Sequence, residues 1–316
     1  MGNTLSELDT VIIGAGPAGM TAAIYAKRKG LTITVIADRV GGQMGTTGDI
    51  ENYPGFDLIR GSDLSRKMRE QMERLGVEPV LDRVSSVERT GSGYRIVTQG
   101  GRSFETRSVI LATGAHWREI GVPGEKEFVS KGVSYCTTCD APLFAGMDVA
   151  VAGGANAAAE AVMELARIAS HVYMIARSRL KCDEMTTVKI RKNDKVTVLE
   201  GYNVLRISGT DFVESITVQS KGGKEETLKV GGVFVEIGQD PNSAFIKNMV
   251  KTNARGEIEI DDYCKTSADG IYACGDVTTV PQKQVIVAAG EGAKAAMSVF
   301  SYLSGLKEKE APSCEL

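Results

Sequence analysis

The sequence predicts an α/β protein built from two copies of one βαβ design, the second inserted into the first. Three observations predict this. A strand-turn-helix-strand pattern opens the chain, and it returns without a gap when the register is moved by 139 residues. Glycine is in excess, at 36 of 316 residues, against a usual share of about 7%. The apolar positions are filled largely by Ala, Val and Ile, as in buried parallel strands and close-packed helices.

The elements follow in order. Asp9 to Ile13 reads as a strand, Gly14-Ala-Gly16-Pro-Ala-Gly19 as a turn, Met20 to Lys29 as a helix and Thr32 to Ile36 as a second strand. Val84 to Thr98 and Ser103 to Ile110 alternate between apolar and polar residues, with turns at Gly91, Gly93, Gly100 and Gly101, and read as an antiparallel add-on sheet. The repeat then gives Asp148 to Ala152 as strand, Gly153 to Ala158 as turn, Ala159 to Ile168 as helix and His171 to Ile175 as strand. Val196 to Ile207, Val213 to Val218 and Val233 to Ile237 read as further strands. A period this long is no solenoid; it marks two Rossmann-like, three-layer ββα nucleotide-binding domains. Residues 1–116 and 246–316 form one and residues 117–245 the other, with crossings near His116–Pro123 and Gly238–Phe245. The tail from Lys307 to Leu316 is charged, contains Pro312 and is expected to fray.

Composition narrows the function. Net charge is −3, from 37 basic and 40 acidic residues, so no basic field supports nucleic-acid binding. No run approaches the ~20 apolar residues of a membrane span, and Met1 to Thr10 lacks the layout of a signal peptide. A cytoplasmic protein is expected, without a membrane or nucleic-acid partner.

The Gly14–Gly19 turn follows a strand and opens a helix. Gly14 serves the tight turn, Gly16 lets the backbone reach a pyrophosphate, and Gly19 allows helix–strand packing. Asp38 stands 19 residues after Gly19, where an acid can accept ribose hydroxyls. The competing reading is a Gly-rich turn with a surface aspartate.

Of six cysteines only Cys136-Thr-Thr-Cys139 forms a close pair. In a cytoplasmic chain this spacing means metal or redox chemistry. Zinc would want a second Cys/His pair, yet His116 and His171 are isolated, so no metal site is expected. Asp140, next in sequence, can move a proton to or from a thiolate during disulfide exchange. Cys182, Cys264 and Cys274 read as small buried or neutral fillers, and Cys314 as a tail residue.

These residues carry a family resemblance along nearly the whole chain, Val11 to Leu303. Its motifs are Gly14–Gly19, Gly41-Gly42-Gln43, Glu51-Asn52-Tyr-Pro-Gly55, Ala112-Thr113-Gly114-Ala115, Cys136–Asp140, Gly275-Asp276, and Lys283-Gln284 with Ala288–Gly292. The chain resembles the low-molecular-weight thioredoxin reductases, and more closely the flavoprotein portion of the alkyl hydroperoxide reductase flavin subunit without its thioredoxin-like domains. The resemblance implies an FAD domain made from both chain ends and a pyridine-nucleotide domain carrying the Cys pair. It implies FAD contacts at Gly14, Gly16, Pro17, Ala18, Gly19, Asp38, Arg39, Gly41, Gly42, Gln43, Asn52, Thr113, Gly114, Gly275, Asp276, Lys283, Gln284 and Val285. Asp276 would bind the ribityl chain and Gln284 the flavin edge, where a helix N-terminus stabilises negative charge. Cys139 would face the flavin and Cys136 would attack the disulfide of a thioredoxin-like or glutaredoxin-like protein. A homodimer is also implied.

The donor is where the chain departs from the pattern. Ala155 replaces the close-approach glycine of the second turn, which otherwise offers Gly153, Gly154 and Asn156. The basic run of the family's NADPH users and the acid of its NADH users are both missing. Arg177 falls where the first repeat has Asp38, and Arg179 and Lys181 follow, so three cations can meet a ribose 2′-phosphate. NADPH is expected over NADH; a solvated basic loop is the competing reading, and ferredoxin or a deazaflavin is the alternative donor. A non-catalytic flavin redox sensor, or a peroxide-forming flavin oxidase with an incidental Cys pair, are the other function classes.

Overall fold

The computed structural model describes residues 8–305; Cys314 and the tail from Lys307 lie outside them. The chain divides into two compact units, one holding the residues up to His116 and from Asp240 on, the other Trp117–Gln239. The return crossing falls at Asp240, within the expected Gly238–Phe245 stretch and ahead of the 246 boundary. The reason is that Phe245, Ile246 and Val250 join the apolar cluster of Val11, Ile13 and Leu111.

In the first unit, β1 (Leu8–Ala15), α1 (Pro17–Arg28) and β2 (Ile33–Val40) make the opening βαβ motif. Pro17 takes the first helical position, where a missing N–H costs nothing. A hairpin of β3 (Asp49–Ile50) and β4 (Ile59–Arg60) leads to α2 (Gly61–Glu73). The sequence reading passed over α2, although Arg66–Glu70 and Arg69–Glu73 pair at helical spacing. Next come β5 (Val80–Leu81), β6 (Val84–Arg89), β7 (Tyr94–Thr98) and β8 (Ser103–Leu111), and the chain leaves on β9 (Ala115–Trp117).

The second unit runs β10 (Val133–Ser134), α3 (Thr137–Asp140), β11 (Asp148–Ala152), α4 (Asn156–Leu165), β12 (His171–Ala176), α5 (Glu184–Arg191), β13 (Val196–Glu200), β14 (Tyr202–Gly209), β15 (Val213–Ser220), β16 (Glu225–Lys229) and β17 (Gly232–Val235). A parallel sheet in the order β10-β17-β11-β12-β13 lies at its centre, and β14-β15-β16 form an antiparallel sheet. Strand alternation builds the layers. Val149, Val151 and Phe234 pack with Ala158, Val162 and Leu165 of α4, whereas Ala150, Val233 and Val235 pack with Ile216 and Val218 of β15. Helix α5, also unread in the sequence, starts where the Asp183 carboxylate accepts from the Thr186 N–H.

The chain returns through β18 (Gln239–Pro241) to β19 (Ile271–Ala273), a turn at Gly275–Val277 and α6 (Val285–Leu303). The first unit's sheet has the order β5-β2-β1-β8-β7-β6, with β19 also on β8. The stretch expected as an add-on sheet is therefore continuous with the main one. Ser103–Thr106 of β8 pair antiparallel with β7, and Val109–Leu111 pair in parallel with β19. Ile12 and Ile110 face α1 and α6, and Val11, Ile13, Val109 and Leu111 fill the opposite face.

Helix α6 lies so close on α1 that a Cβ at Gly292 would stand 2.1 Å from the Ala18 carbonyl oxygen, whereas one at Gly290 would meet nothing within 4 Å. Two substitutions on one helix are thus expected to act in opposite directions. Gly292→Ala should destabilise by about 1–3 kcal/mol through overpacking, and Gly290→Ala should be neutral or stabilise by up to about 1 kcal/mol through helix propensity. Denaturant unfolding followed by circular dichroism checks both signs.

Candidate functional site

The first unit holds a cradle around the Gly14–Gly19 turn. Gly14 has φ +110°, and a Cβ there would lie 2.2 Å from the Ala112 carbonyl oxygen. One at Gly19 would lie 1.9 Å from the Gly14 oxygen. Packing alone demands these two glycines. Gly16 is different, since its nearest would-be contact is the Gly42 Cα at 3.9 Å. Nothing in the protein requires a glycine at that place, and a backbone open for a ligand does. Gly16 also starts α1 without a side-chain cap, which leaves the helix's first N–H groups to a bound anion. Asp38 and Arg39 stand exposed near the end of β2, and Asp38 pairs with Arg83 at 3.2 Å.

The other residues expected at the flavin edge gather in the same unit. The Gln43 amide donates to the Ala115 carbonyl at 2.7 Å, while its Oε1 is buried with no protein partner. Asn52 donates to Gln284 Oε1 at 3.2 Å, across 232 residues of sequence. Gln284 begins α6 as its N-cap, directly before Val285. Thr113 and Gly114 are laced by Asn242, a residue the sequence reading did not single out. The Thr113 hydroxyl donates to the Asn242 carbonyl, the Asn242 amide donates back to the Thr113 carbonyl, and the Asn242 N–H bonds the Gly114 carbonyl.

Gly275 donates its N–H to the buried Glu291 carboxylate at 2.9 Å. Beside it burial pushes the Asp276 carboxyl up to about 6; Lys283 pulls against this and Glu291 adds to it. Lys283 itself does not project freely. Its ammonium donates to the Asp276 and Thr278 carbonyls and pairs with Glu257 at 3.3 Å. It fixes the turn that presents Asp276. An open backbone, a buried amide oxygen without a partner and a buried acid at one turn are what a large polar cofactor needs, and these residues fit FAD.

The redox pair lies in the second unit. Cys136 and Cys139 are joined by a disulfide with their Cα atoms 5.3 Å apart. Cys136 precedes the single helical turn α3, and the N–H groups of Cys139 and Asp140 both bond the Cys136 carbonyl. Ser134 Oγ accepts the Cys136 N–H at 3.0 Å. The preceding residue, Tyr135, donates its hydroxyl to Glu125, whose carboxylate also takes the N–H groups of Ile120 and Gly121. Burial raises the Asp140 carboxyl above its ordinary range, with a hydrogen bond to Ser134 in opposition. Burial pushes the Cys264 thiol up to about 12 and raises the Cys274 thiol well above its ordinary value, and the half-buried Cys182 sits against the Thr187 hydroxyl. Among the described residues no group of three or more His, Cys, Asp or Glu side chains is placed to hold a metal ion.

The second dinucleotide turn keeps the shape of the first. Ala155 starts α4 with φ −106° and ψ −172°, close to the φ −76° and ψ −173° of Gly16. Its methyl is exposed, so any cost falls on a ligand and not on the turn. Gly153 and Gly154 are enclosed by Glu236 and Ala176. The segment after β12 folds back on this turn, with the Lys181 N–H on the Gly154 carbonyl and the Asp183 N–H on Asn156 Oδ1. Arg177, Arg179 and Lys181 are exposed along that segment, and Glu200 accepts the Leu180 N–H and pairs with Arg191.

Comparison with known proteins agrees with this arrangement. The model of the pyridine nucleotide-disulphide oxidoreductases matches residues 8–292. The chain is 38% identical over 298 residues to the F subunit of alkyl hydroperoxide reductase from Staphylococcus aureus, covering 93% of this chain and 59% of that protein. The thioredoxin reductase of Streptococcus pyogenes superposes with a TM-score of 0.91 at 38% identity, covering 96% of this chain and 100% of that one. The enzyme of Giardia duodenalis gives 0.89 at 33% identity, covering 94% and 99%. With the Cys pair and both Gly-rich turns in place, the chain belongs to the pyridine nucleotide-disulphide oxidoreductase family.

Proposed function

We propose that the chain passes two electrons from a donor, through FAD, to Cys136–Cys139 and on to the disulfide of a small thioredoxin-like or glutaredoxin-like protein. The observation that carries this reading is the Cys136–Cys139 bond on a helical turn with a half-buried acid beside it. An oxidase with an incidental Cys pair has no use for that acid.

Bound FAD would supply two-electron transfer between the donor and the Cys pair. The chain would hold it with the Gly14–Gly19 turn at the pyrophosphate, Asp38 at the adenosine, Gln43, Asn52 and Gln284 at the ring, and Asp276 at the ribityl hydroxyls. The uncapped start of α6 places a positive dipole end beside Gln284, which favours negative charge on a neighbouring group.

In the second unit, reduction opens the disulfide with two electrons and two protons. The Cys136 thiolate attacks one sulfur of the partner disulfide, and the partner's other sulfur leaves as a thiolate. The Cys139 thiolate then attacks Cys136 sulfur, re-forms the internal disulfide and releases the partner's second sulfur. Asp140, whose carboxyl burial raises above its ordinary range, supplies a proton to a departing thiolate and recovers one when a thiol of the reduced pair ionises to attack.

The donor bound at the second turn is NADPH, supported by the exposed Arg177, Arg179 and Lys181 and by the unaltered turn at Ala155. The Ala155 methyl, exposed where a pyrophosphate would approach, favours a second reading in which ferredoxin or a deazaflavin replaces it.

Three outcomes are expected. Cys136→Ser and Cys139→Ser should each abolish thioredoxin reduction yet keep flavin-dependent reduction of an artificial acceptor, and Asp140→Asn should slow the first reaction about 10²-fold; normal thioredoxin reduction by both Ser variants would make the pair structural. Anaerobic stopped-flow mixing should bleach the flavin faster with NADPH than with NADH, and bleaching by reduced ferredoxin alone would select the second reading.

The third concerns pH. The Asp276 carboxyl is raised from 3.8 to about 6, so the folded flavin-free protein keeps a proton that the unfolded chain loses between those values. Stability from this group falls as pH rises through that window. Asp276→Asn should therefore gain on the wild type by roughly 3 kcal/mol between pH 4 and 6.5 in urea titrations of flavin-free protein.

A further inference from the structure

Glu236 directly follows β17, the strand between β10 and β11 in the second unit's parallel sheet. Its backbone holds the second dinucleotide turn. The Glu236 N–H bonds the Ala152 carbonyl at 2.8 Å, and its own carbonyl oxygen fills the space where a Cβ at Gly153 would project, 2.3 Å away. Its side chain goes elsewhere. Oε1 accepts the Thr137 hydroxyl at 2.7 Å, between residues 99 apart in sequence, and the carboxyl also takes the Thr137 N–H. Thr137 is buried and lies between the two redox cysteines.

A carboxyl is an expensive choice at this position. Glu236 is half-buried, and Glu160 and Glu164 of α4 add like charge, so its carboxyl is raised above the ordinary range. Packing would be satisfied by an apolar side chain, as in the rest of β17, where Val233, Phe234 and Val235 are all buried. What the carboxyl supplies is a grip on the first residue of α3. That grip matters when the disulfide opens. An isolated helical turn of four residues does not hold itself together in water, and the covalent link that set the Cα atoms 5.3 Å apart is then gone.

We propose that Glu236 is a positioning residue for the redox pair, anchoring Thr137 so that Cys136 and Cys139 stay within reach of each other in the dithiol state. The proposal rests on the reading of Cys136–Cys139 as a working disulfide. By this account the anchor raises the effective concentration of one thiol at the other. It favours closure of the internal disulfide and fast release of a mixed disulfide by Cys139.

The test is thiol exchange on the flavin-loaded full chain, which needs neither an electron donor nor a protein partner. Two quantities are read: the equilibrium of the pair with dithiothreitol, and the second phase of thionitrobenzoate release when the reduced pair meets dithionitrobenzoate. Glu236→Ala and Thr137→Val should each shift the equilibrium toward the dithiol by about fivefold or more and slow the second phase about tenfold, while the first phase stays within twofold. Glu236→Gln and Thr137→Ser keep an acceptor or a donor and should remain within twofold of the wild type. The double variant Glu236→Ala/Thr137→Val should be no worse than Glu236→Ala alone, because loss of the carboxyl already removes its bonds to both the Thr137 hydroxyl and the Thr137 N–H. Unchanged exchange in Thr137→Val, Glu236→Gln as impaired as Glu236→Ala, or additive single effects would each overturn the assignment. If Glu236→Ala does not fold, Thr137→Val against Thr137→Ser decides alone. A wild-type protein that releases thionitrobenzoate in two phases but reduces no protein disulfide would remove the proposed function and leave the anchor standing.

Discussion

The architecture of the first unit depends on main chain meeting main chain. At Gly14, Gly19 and Gly292 the neighbouring carbonyl oxygens lie 1.9 to 2.2 Å from where a Cβ would be. Strand β1, helix α1, the end of β8 and helix α6 are thereby drawn to a separation that no side chain permits. The consequence is chemical as well as structural. With α1 pressed on the strands and no side chain at Gly16, the first N–H groups of the helix stand open at the carboxyl ends of β1 and β8, the place where open α/β sheets bind ligands.

The second unit uses the same device with looser fittings. Gly153 repeats the contact of Gly14, against the Glu236 carbonyl in place of the Ala112 carbonyl. At the third position Ala158 is fully buried, with its methyl carbon 2.7 Å from where a Cβ at Gly153 would stand. Ala155 and Gly16 share one backbone conformation, which shows that the extended N-cap is set by strand and helix and not by glycine. The two sites thus differ in the surface shown to a ligand more than in the fold beneath it.

The parts legible in the sequence are those written locally. Strand β11 runs over the residues expected, and the Gly-rich turns and the Cys pair with Asp140 were visible because each is set by neighbours a few residues apart, whereas the helix beginning after Gln284 was expected only through the family resemblance. What escaped was built across distance. Asn242 holds Thr113, Glu236 holds Thr137, and Lys283 holds the Asp276 turn with help from Glu257; the partners in the first two contacts lie about a hundred residues apart or more. No spacing rule announces a side chain whose task is to fix someone else's loop. Asp38 shows the reverse case. Its position was readable from the count after Gly19, but its present partner, Arg83, was not.

The placement of β19 has a consequence for how the molecule is made. Among the described residues the Val109–Leu111 edge of β8 is completed by Ile271–Ala273, and α1 is packed at Ala18 by Gly292 of α6. Both covering segments lie beyond the whole of the second unit, which is continuous in sequence from Trp117 to Gln239. On the ribosome, a chain emerging from its N-terminus can complete the second unit first, because domains form as their residues become available. Until then the first unit is a sheet with six of its seven strands and an open edge at Val109–Leu111. Such edges invite pairing with other chains, so translation speed through residues 117–270 sets how long the nascent protein carries that risk.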